Sequence, residues 1–253
     1  MAGNTAAQGG LLEARIADAA RLALAGRKAR FVGFLDEREA RVAAKIAEKQ
    51  SLGSVMFWGG HEDAERVFFG AFPSFMKPRE EAFPVCALTA GYRPQDRLTH
   101  RDFLGALLHA GLDRAAVGDI LVEEGRCVLF CREEVADFLC TQVEKIGGAG
   151  VRIARGAREP YPQAHRFLEF SAVIASARLD CAVAAAAGLS REKAAALIRS
   201  KQVALNHEDV FAPDAAVGGG DILSVRGKGR FVVDRLGPET KKGKICIAGR
   251  KYI

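Results

Sequence analysis

Apolar and polar residues alternate most regularly in the middle of the chain, where short apolar runs separate two helical patterns. Four of these runs have the length of strands: residues 83–89, 117–122, 127–131 and 151–154. Thr99 followed by Asp102 has the spacing of a capping box and predicts a helix to His109, and a second helix is predicted over residues 132–146. The resulting order of strand, helix, strand, strand, helix and strand is typical of ferredoxin-like and RNA-recognition folds.

Before this region, the pattern predicts three helices and one strand. The helices are expected over residues 11–29, 36–49 and 61–67, and the strand over residues 54–58. Asp36 and Glu39 have the spacing of a second capping box. Glu62 and Asp63 would stand in the first turn of the third helix, where the helix dipole favours negative charge.

The last part of the chain predicts two short helices and several strands. Gly188 is expected to end the first helix in the left-handed conformation, and Ser190 is expected to cap the second. Strands are predicted over residues 203–205 and 222–225. Glycines alternate with cations in residues 226–230, which predicts a tight loop whose basic side chains point outward.

Together these elements predict an α+β protein of three parts. Pro73 and Pro78 mark a boundary after a mixed N-terminal domain. The predicted domains are residues 1–80, a central ferredoxin-like (RNA-recognition-like) βαββαβ domain over residues 81–172, and a third domain over residues 173–253.

The distribution of charge adds a functional indication. The chain has 253 residues, is 49% apolar and 27% charged, and carries a formal net charge of +6, as in a folded basic protein. Residues 176–253 contain 14 Lys and Arg against 8 Asp and Glu, out of 37 and 31 in the whole chain, so the entire excess lies there. Lysines that only improve solubility are the alternative. Because the cations stand at helix starts and in a glycine loop, we favour nucleic-acid binding.

The candidate RNA-binding residues all lie in this basic part. They are Arg178, Ser190, Arg191, Lys193, Lys201, Asn206, Arg226, Lys228 and Arg230. The arginines and lysines would bind phosphate oxygens, arginine with bidentate geometry. Helix capping alone would explain Ser190, and a turn alone would explain Asn206.

Other classes of site find little support in the sequence. No apolar stretch approaches the roughly 20 residues of a membrane span, and the N-terminus lacks an apolar signal core, so we expect a cytoplasmic protein. The six cysteines form no CxxC pair, and we expect neither metal, disulfide nor cofactor. Residues 123–124 and 133–134 are glutamates and could suggest a metal site, but Arg126 and Arg132 favour a solvated hairpin and helix start.

Catalysis and base reading are both unsupported in the first two domains. Asp36 and Asp102 are explained as helix caps and Asp119 as a turn residue, and no nucleophile with a matching base is evident, so we expect no enzyme. An RNA-recognition sheet needs exposed aromatic residues for stacking. Residues 127–131 offer only Phe130, so this sheet is expected to be a scaffold or a protein contact.

Two family resemblances sharpen the expectation. The αL RNA-binding domain named after ribosomal small-subunit protein four is similar to four segments: residues 178–180 (Arg-Leu-Asp), 190–194 (Ser-Arg-Glu-Lys-Ala), 201–206 (Lys-Gln-Val-Ala-Leu-Asn) and 220–225 (Gly-Asp-Ile-Leu-Ser-Val). This likeness covers about residues 177–236 and implies that the C-terminal domain is of this type.

The second resemblance extends over most of the chain. The YlmH (RqcP) family of ribosome-associated quality-control proteins has boxes similar to residues 34–39 (Phe-Leu-Asp-Glu-Arg-Glu), 57–60 (Phe-Trp-Gly-Gly), 98–107 and 224–230 (Ser-Val-Arg-Gly-Lys-Gly-Arg). Glu37 stands where the family usually has proline.

This family likeness implies a function and partners. It implies binding to rRNA of large ribosomal subunits that still carry peptidyl-tRNA, beside a factor that adds a C-terminal tail to the nascent chain. Arg178 and the second helix would bind rRNA, and residues 226–230 would reach rRNA or tRNA. We expect a monomer. The rival hypotheses are an RNA-modifying enzyme of the pseudouridine synthase type, which would need a carboxylate before residue 175, and a cell-division-linked adaptor.

Overall fold

Helices and strands are mixed along the whole chain in the computed structural model, which describes residues 2–163, 167–239 and 243–253. The chain divides into a first unit, residues 1–164, and a second unit, residues 165–253. The predicted α+β class is confirmed, whereas the three-domain division stays a prediction.

Within its described residues, 2–163, the first unit contains four α-helices and nine strands. The helices are α1 (Ala2–Ala25), α2 (Glu37–Lys49), α3 (His100–His109) and α4 (Glu133–Gln142). The strands are β1 (Arg30–Leu35), β2 (Ser54–Trp58), β3 (Val67–Phe72), β4 (Val85–Gly91), β5 (Val117–Glu123), β6 (Arg126–Arg132), β7 (Lys145–Ile146), β8 (Ala149–Gly150) and β9 (Arg152–Arg155). The central segment therefore has the predicted order of elements, with the hairpin β7–β8 inserted before its last strand.

Two antiparallel sheets organise this unit. The first has the strand order β1-β3-β2, and the second has the order β5-β6-β4-β9. Apolar side chains of α1 and α2 pack on one face of the first sheet, and those of α3 and α4 pack on one face of the second. The remaining faces of the two sheets pack against each other.

Strand β6 is buried on both faces of the second sheet. Cys127, Leu129 and Cys131 point to the core under α3 and α4, while Val128 and Phe130 point to the first sheet. All five are fully buried. Because successive strand residues point to opposite faces, a strand covered on both sides must be apolar at every position, which explains the unbroken apolar run.

Both predicted capping boxes are present. The Asp36 carboxylate accepts from the backbone N–H of Glu39 at 2.8 Å, and the Glu39 carboxylate accepts from that of Asp36 at 2.9 Å. Thr99 and Asp102 form the same reciprocal pair at the start of α3. These interactions span three residues, so they form from local sequence alone.

Replacing Thr99 with alanine should destabilise the protein by about 1 kcal/mol, because the N–H of Asp102 loses its side-chain acceptor and the Asp102 carboxylate loses the hydroxyl that donates to it at 2.6 Å. Thermal unfolding followed by circular dichroism would measure the loss. Serine at the same position keeps the hydroxyl and should restore most of the stability. Equal stability of the alanine and serine variants would contradict a role for this cap.

Three local predictions in the first unit are wrong. The first helix runs from Ala2 to Ala25 rather than over residues 11–29. Residues 61–66 form turns rather than a helix, and the chain then enters β3. Asp119 is a buried residue of β5, not a turn residue.

A long-range interaction explains the missing helix. The Asp119 carboxylate accepts from the backbone N–H groups of Glu65 and Arg66 at 2.8 and 3.0 Å, and it lies 3.0 Å from Nε2 of His61. Asp119 thus holds the segment before β3 in an irregular conformation. The hydrogen bonds to the Asp119 carboxylate of β5 therefore decide the conformation of this segment, although Glu62 and Asp63 locally favour the start of a helix.

The second unit has one sheet and two helices. Its helices are α5 (Leu179–Ala187) and α6 (Arg191–Arg199). Its strands are β10 (Phe167–Ile174), β11 (Val203–Leu205), β12 (Glu208–Asp209), β13 (Ile222–Val225), β14 (Gly229–Glu239) and β15 (Ile245–Tyr252). They form an antiparallel sheet of order β10-β15-β14-β13-β11-β12, and the apolar faces of both helices pack on it.

Candidate nucleic-acid interface

The two helices of the second unit are joined as the sequence predicts. Gly188 adopts the left-handed conformation after α5, with φ 63° and ψ 43°, and the Ser190 hydroxyl accepts from the backbone N–H of Lys193 at 3.3 Å. Ala194 and Ile198 are fully buried against the sheet. The charged residues of α6 therefore face away from the core.

A buried carboxylate organises the start of both helices. Asp180 is only 4% exposed. It accepts from Nε of Arg191 at 2.9 Å, from Nε and Nη2 of Arg178 at 3.3 and 3.4 Å, and from the backbone N–H of Cys181 at 2.9 Å. The two arginine side chains are 40% and 54% exposed. The Asp180 carboxylate thus orients the partly exposed guanidinium groups of Arg178 and Arg191. The three side chains together carry a net charge of one positive unit.

The hydrogen bonds of Asp180 also set its titration. Burial alone would raise the pKa of Asp180, but hydrogen bonds from Arg178, Arg191 and the Cys181 N–H together lower it below its ordinary value of 3.8. The pKa of Asp180 is lower in the folded protein than in the unfolded chain. The ionised carboxylate therefore stabilises the fold fully at pH values above its ordinary pKa, and this stabilisation is lost as the pH falls through the lowered pKa of the folded protein. At neutral pH the arrangement is fully formed.

We call Arg178, Ser190, Arg191 and Lys193 the helix-start group. They lie at or next to the first turns of α5 and α6. Ser190 has a structural role as a cap, while Lys193 is exposed. The group therefore has two guanidinium groups paired with one carboxylate and one exposed ammonium group beside them.

We call Lys201, Arg226 and Lys228 the hairpin group. Val225 pairs with Gly229, so Arg226 and Lys228 lie in the turn between β13 and β14. The backbone N–H of Arg226 donates to the carbonyl of Gln202 at 2.9 Å, which places this turn beside Lys201. Gly227 and Gly229 have φ of 74° and 109°, so only glycine fits these positions without strain.

The other two predicted residues are engaged within the protein. Asn206 has φ 53°, and its amide donates to Asp221 at 2.7 Å and accepts from the N–H of Ile222 at 2.9 Å. Arg230 is half-buried, and its guanidinium lies 4.8 Å from the centre of the Tyr252 ring. The structure thus brings seven of the nine candidates into two groups, and an RNA contact by any of the nine stays a prediction.

The sequence did not single out Asp180 as the organiser of the site. Eleven positions separate Asp180 from Arg191, and no helical or strand periodicity links them. A lone aspartate before a short helix is more often a cap. Only the packing of α5 against α6 shows that this carboxylate serves both arginines.

The central sheet offers no surface of this kind. Phe130 is fully buried between the two sheets, its ring centre 4.7 Å from that of His61 and 5.7 Å from that of Tyr161. A ring enclosed in this way is not available for stacking on a base. The expected scaffold role of this sheet face agrees with its burial inside the first unit.

Three of the four glutamates considered as metal ligands, Glu123, Glu133 and Glu134, are paired with arginines. Arg155 donates to Glu133 at 2.6 Å and to Asp137 at 2.7 Å, and Arg132 donates to Glu134 at 3.2 Å. In residues 2–163, 167–239 and 243–253, no three His, Cys, Asp or Glu side chains are grouped so as to bind a metal. Nor does any helix of these ranges combine the length and low polarity needed to cross a membrane.

Comparisons with known proteins found a matching family model, a similar sequence and a similar solved structure. Residues 78–159 match the family model described as "Putative RNA-binding domain in YlmH". The chain is 32% identical over 213 residues to the ribosome-associated protein quality control protein P2 of Bacillus subtilis (strain 168), covering 83% of this chain and 82% of that protein. It is also similar to the solved structure of the cell division protein ylmH from Streptococcus pneumoniae, with 17% identity, a TM-score of 0.49, and coverage of 59% and 87%.

Proposed function

The chain belongs to the YlmH family, and on this premise we propose that it is an RNA-binding factor without catalytic activity of its own. The observation that carries the proposal is the pair of basic groups in the second unit. Arg191 and Lys201 stand near the two ends of α6, roughly 13 Å apart along its axis. That distance matches several phosphates of one strand, so both groups could contact a single folded RNA backbone.

The fixed geometry of the helix-start group supports recognition of shape rather than sequence. Arg178 and Arg191 are held by one carboxylate, so their guanidinium planes are ordered before RNA arrives. Ordered donors lose little conformational entropy on binding. Contacts to phosphates orient a protein on RNA but carry no base information.

The absence of catalysis is proposed from what the carboxylates do. Asp36 and Asp102 cap helices, and Asp119 holds the segment before β3. Each of these three carboxylates accepts hydrogen bonds from backbone N–H groups, which gives it a structural role. The enzyme hypothesis therefore lacks its required carboxylate among the aspartates considered.

The finer assignments are part of the same proposal. We propose an N-terminal domain of residues 1–80, followed by the ferredoxin-like and αL RNA-binding domains predicted over residues 81–172 and 173–253. We place the boundary between the last two before β10 rather than after residue 172, because β10 pairs along its whole length with β15. The antiparallel order β5-β6-β4-β9 with α3 and α4 on one face supports the ferredoxin-like assignment. The helix pair α5–α6 packed on a small antiparallel sheet supports the αL assignment.

We also propose a ribosomal partner. The relative is named for ribosome-associated quality control. The proposed partners are rRNA of the large subunit, peptidyl-tRNA and a factor that tails the nascent chain, and the proposed location is the cytoplasm. A sucrose gradient of cell extract should show the protein with free large subunits; a profile confined to the soluble fraction would contradict this.

Lys193→Ala combined with Lys228→Ala should weaken binding to structured RNA by about tenfold and flatten its salt dependence. Both side chains are exposed, so folding should be unaffected. With roughly 4–6 phosphates neutralised, log affinity of the unaltered protein should fall with log salt at a slope of about −3 to −5, and the variant's slope should be smaller in magnitude by about 1.5. Filter binding across a salt series measures both.

A matched control removes the same charge elsewhere. Lys45 and Lys49 are exposed on α2 in the first unit. Replacing both with alanine should leave the affinity and slope close to those of the unaltered protein. If the two double variants behave alike, the second unit is not the binding surface.

A further inference from the structure

Phe211 is an aromatic residue exposed within the basic surface of the second unit. It follows β12, and half of its side chain, 50%, is open to solvent. Burying a phenylalanine ring is worth roughly 1.5–3 kcal/mol, and the unit has an apolar core nearby that could have taken it. The ring instead stays half-exposed at the surface.

The loop that carries Phe211 is tied to the helix-start group. The backbone N–H of Asp180 donates to the carbonyl of Pro213 at 2.9 Å, and that of Leu179 donates to the carbonyl of Ala215 at 2.8 Å. Two residues of chain span at most about 7 Å. Phe211 therefore lies close to the start of α5, where Arg178 and Arg191 are held.

The Phe211 ring also contacts a member of the hairpin group. Nζ of Lys201 lies 5.0 Å from the centre of the Phe211 ring, within the range of a cation–π contact. Arg226 lies beside Lys201 through the hydrogen bond of its backbone N–H to Gln202. Phe211 thus contacts the hairpin group directly and is close along the chain to residues bonded to the start of α5.

The loop itself suits a nucleobase better than a phosphate. Asp209 and Asp214, on either side of Phe211, are both exposed and would repel a phosphate. An aromatic face stacks on any base, and such stacking tolerates different sequences. The exposed Lys201 side chain is long and flexible, so its ammonium can move from the ring to a neighbouring phosphate when a base arrives.

We propose that Phe211 is a stacking platform for one unpaired nucleobase of the bound RNA, between backbone contacts made by the helix-start and hairpin groups. This inference rests on the RNA binding proposed above and adds to it the kind of RNA element that is bound. A fully paired helix hides its bases in the stack, so the preferred ligand has a bulge, a loop or a flipped base.

The test uses two RNA hairpins that differ only in one unpaired adenine. Phe211→Leu keeps an apolar side chain but removes the aromatic face, and it should weaken binding to the bulged hairpin about 5- to 100-fold while changing affinity for the paired hairpin less than about twofold. Phe211→Trp should keep the affinity. Its added indole, beside the single native tryptophan, should lose fluorescence when the bulged hairpin binds. Phe75→Leu alters another exposed ring, in the first unit, and should change neither affinity.

The possible failures are distinguishable. If Phe211→Leu binds both hairpins as the unaltered protein does, the stacking role is wrong while RNA binding by the cations stands. If it loses both equally, the ring shapes the loop rather than stacking, and the inference is again wrong. If the unaltered protein binds neither hairpin, the proposed RNA-binding function fails, and this inference fails with it.

Discussion

Replacing Asp119 with alanine should lower the free energy of unfolding of the first unit by about 3–5 kcal/mol, because several partly buried donors lose one shared acceptor. The Asp119 side chain is 7% exposed. It accepts from two backbone N–H groups, of Glu65 and Arg66, and lies against the ring of His61. Hydrogen bonds to a charged group are stronger than neutral ones, and a low-polarity surrounding raises the cost of losing them.

The side chain of Arg66 adds further hydrogen bonds between the segment before β3 and neighbouring elements. Its guanidinium donates to the carbonyl of Val117 at 3.0 Å, to that of Phe34 at 2.9 Å and to that of Arg114 at 3.1 Å. These acceptors belong to β5, to β1 and to the turn before β5. Removing Asp119 would therefore loosen the segment before β3, whose hydrogen bonds to Asp119 connect the first sheet to the second.

The loss can be measured with the native fluorophore. The single tryptophan, Trp58, lies in β2 of the same unit, so denaturant unfolding followed by its fluorescence reports on the first unit. Asp137→Ala is the matched control, since that carboxylate is 81% exposed and paired with a surface arginine. Its midpoint should stay unchanged. An equal loss in both variants, or none for Asp119→Ala, would contradict the structural role.

Asp180→Asn should lower affinity for RNA by about tenfold even though it removes a negative charge from a basic surface. The carboxylate orders Arg178 and Arg191 through charged hydrogen bonds, and the amide cannot accept as strongly from both. If charge alone mattered, removing one negative charge roughly 7 Å from a phosphate would raise affinity about two- to threefold. The two explanations thus predict changes of opposite sign.

Equilibrium binding of a structured RNA at fixed salt decides between them. Asp214→Asn serves as the matched control, because it removes the same charge from an exposed position of the same unit. That variant should bind slightly more tightly. Tighter binding by Asp180→Asn would show that the carboxylate only opposes the cations, and circular dichroism at the same temperature would establish that the variant is folded.

Local features were accessible from the sequence because their partners lie within a few residues. The capping boxes of Asp36 with Glu39 and of Thr99 with Asp102 follow from a spacing of three. The left-handed Gly188 follows from its position after an apolar stripe. The order of elements in the central segment follows from the lengths and periods of its apolar runs.

The helix predicted over residues 61–67 is wrong because the partner that decides their conformation is far away in the sequence. Their helix signals are real but weak, and the Asp119 carboxylate, more than fifty positions away, captures the N–H groups of Glu65 and Arg66. No pattern within the segment reveals an acceptor supplied by a distant strand. Secondary structure is decided by such long-range contacts whenever local preferences are worth less than the hydrogen bonds gained.

The same division holds for the candidate interface. Sequence alone determined which residues are basic, that the net positive charge lies in the last third, and that short helices and a glycine hairpin would carry the candidate cations. Only the tertiary structure decided that Asp180 would hold Arg178 and Arg191 together, that Asn206 would turn inward to Asp221, and that Phe211 would lie beside Lys201. Charge and periodicity are properties of the chain, whereas the neighbours of a side chain depend on how the helices and strands pack, and this packing brings together residues that are far apart in the sequence.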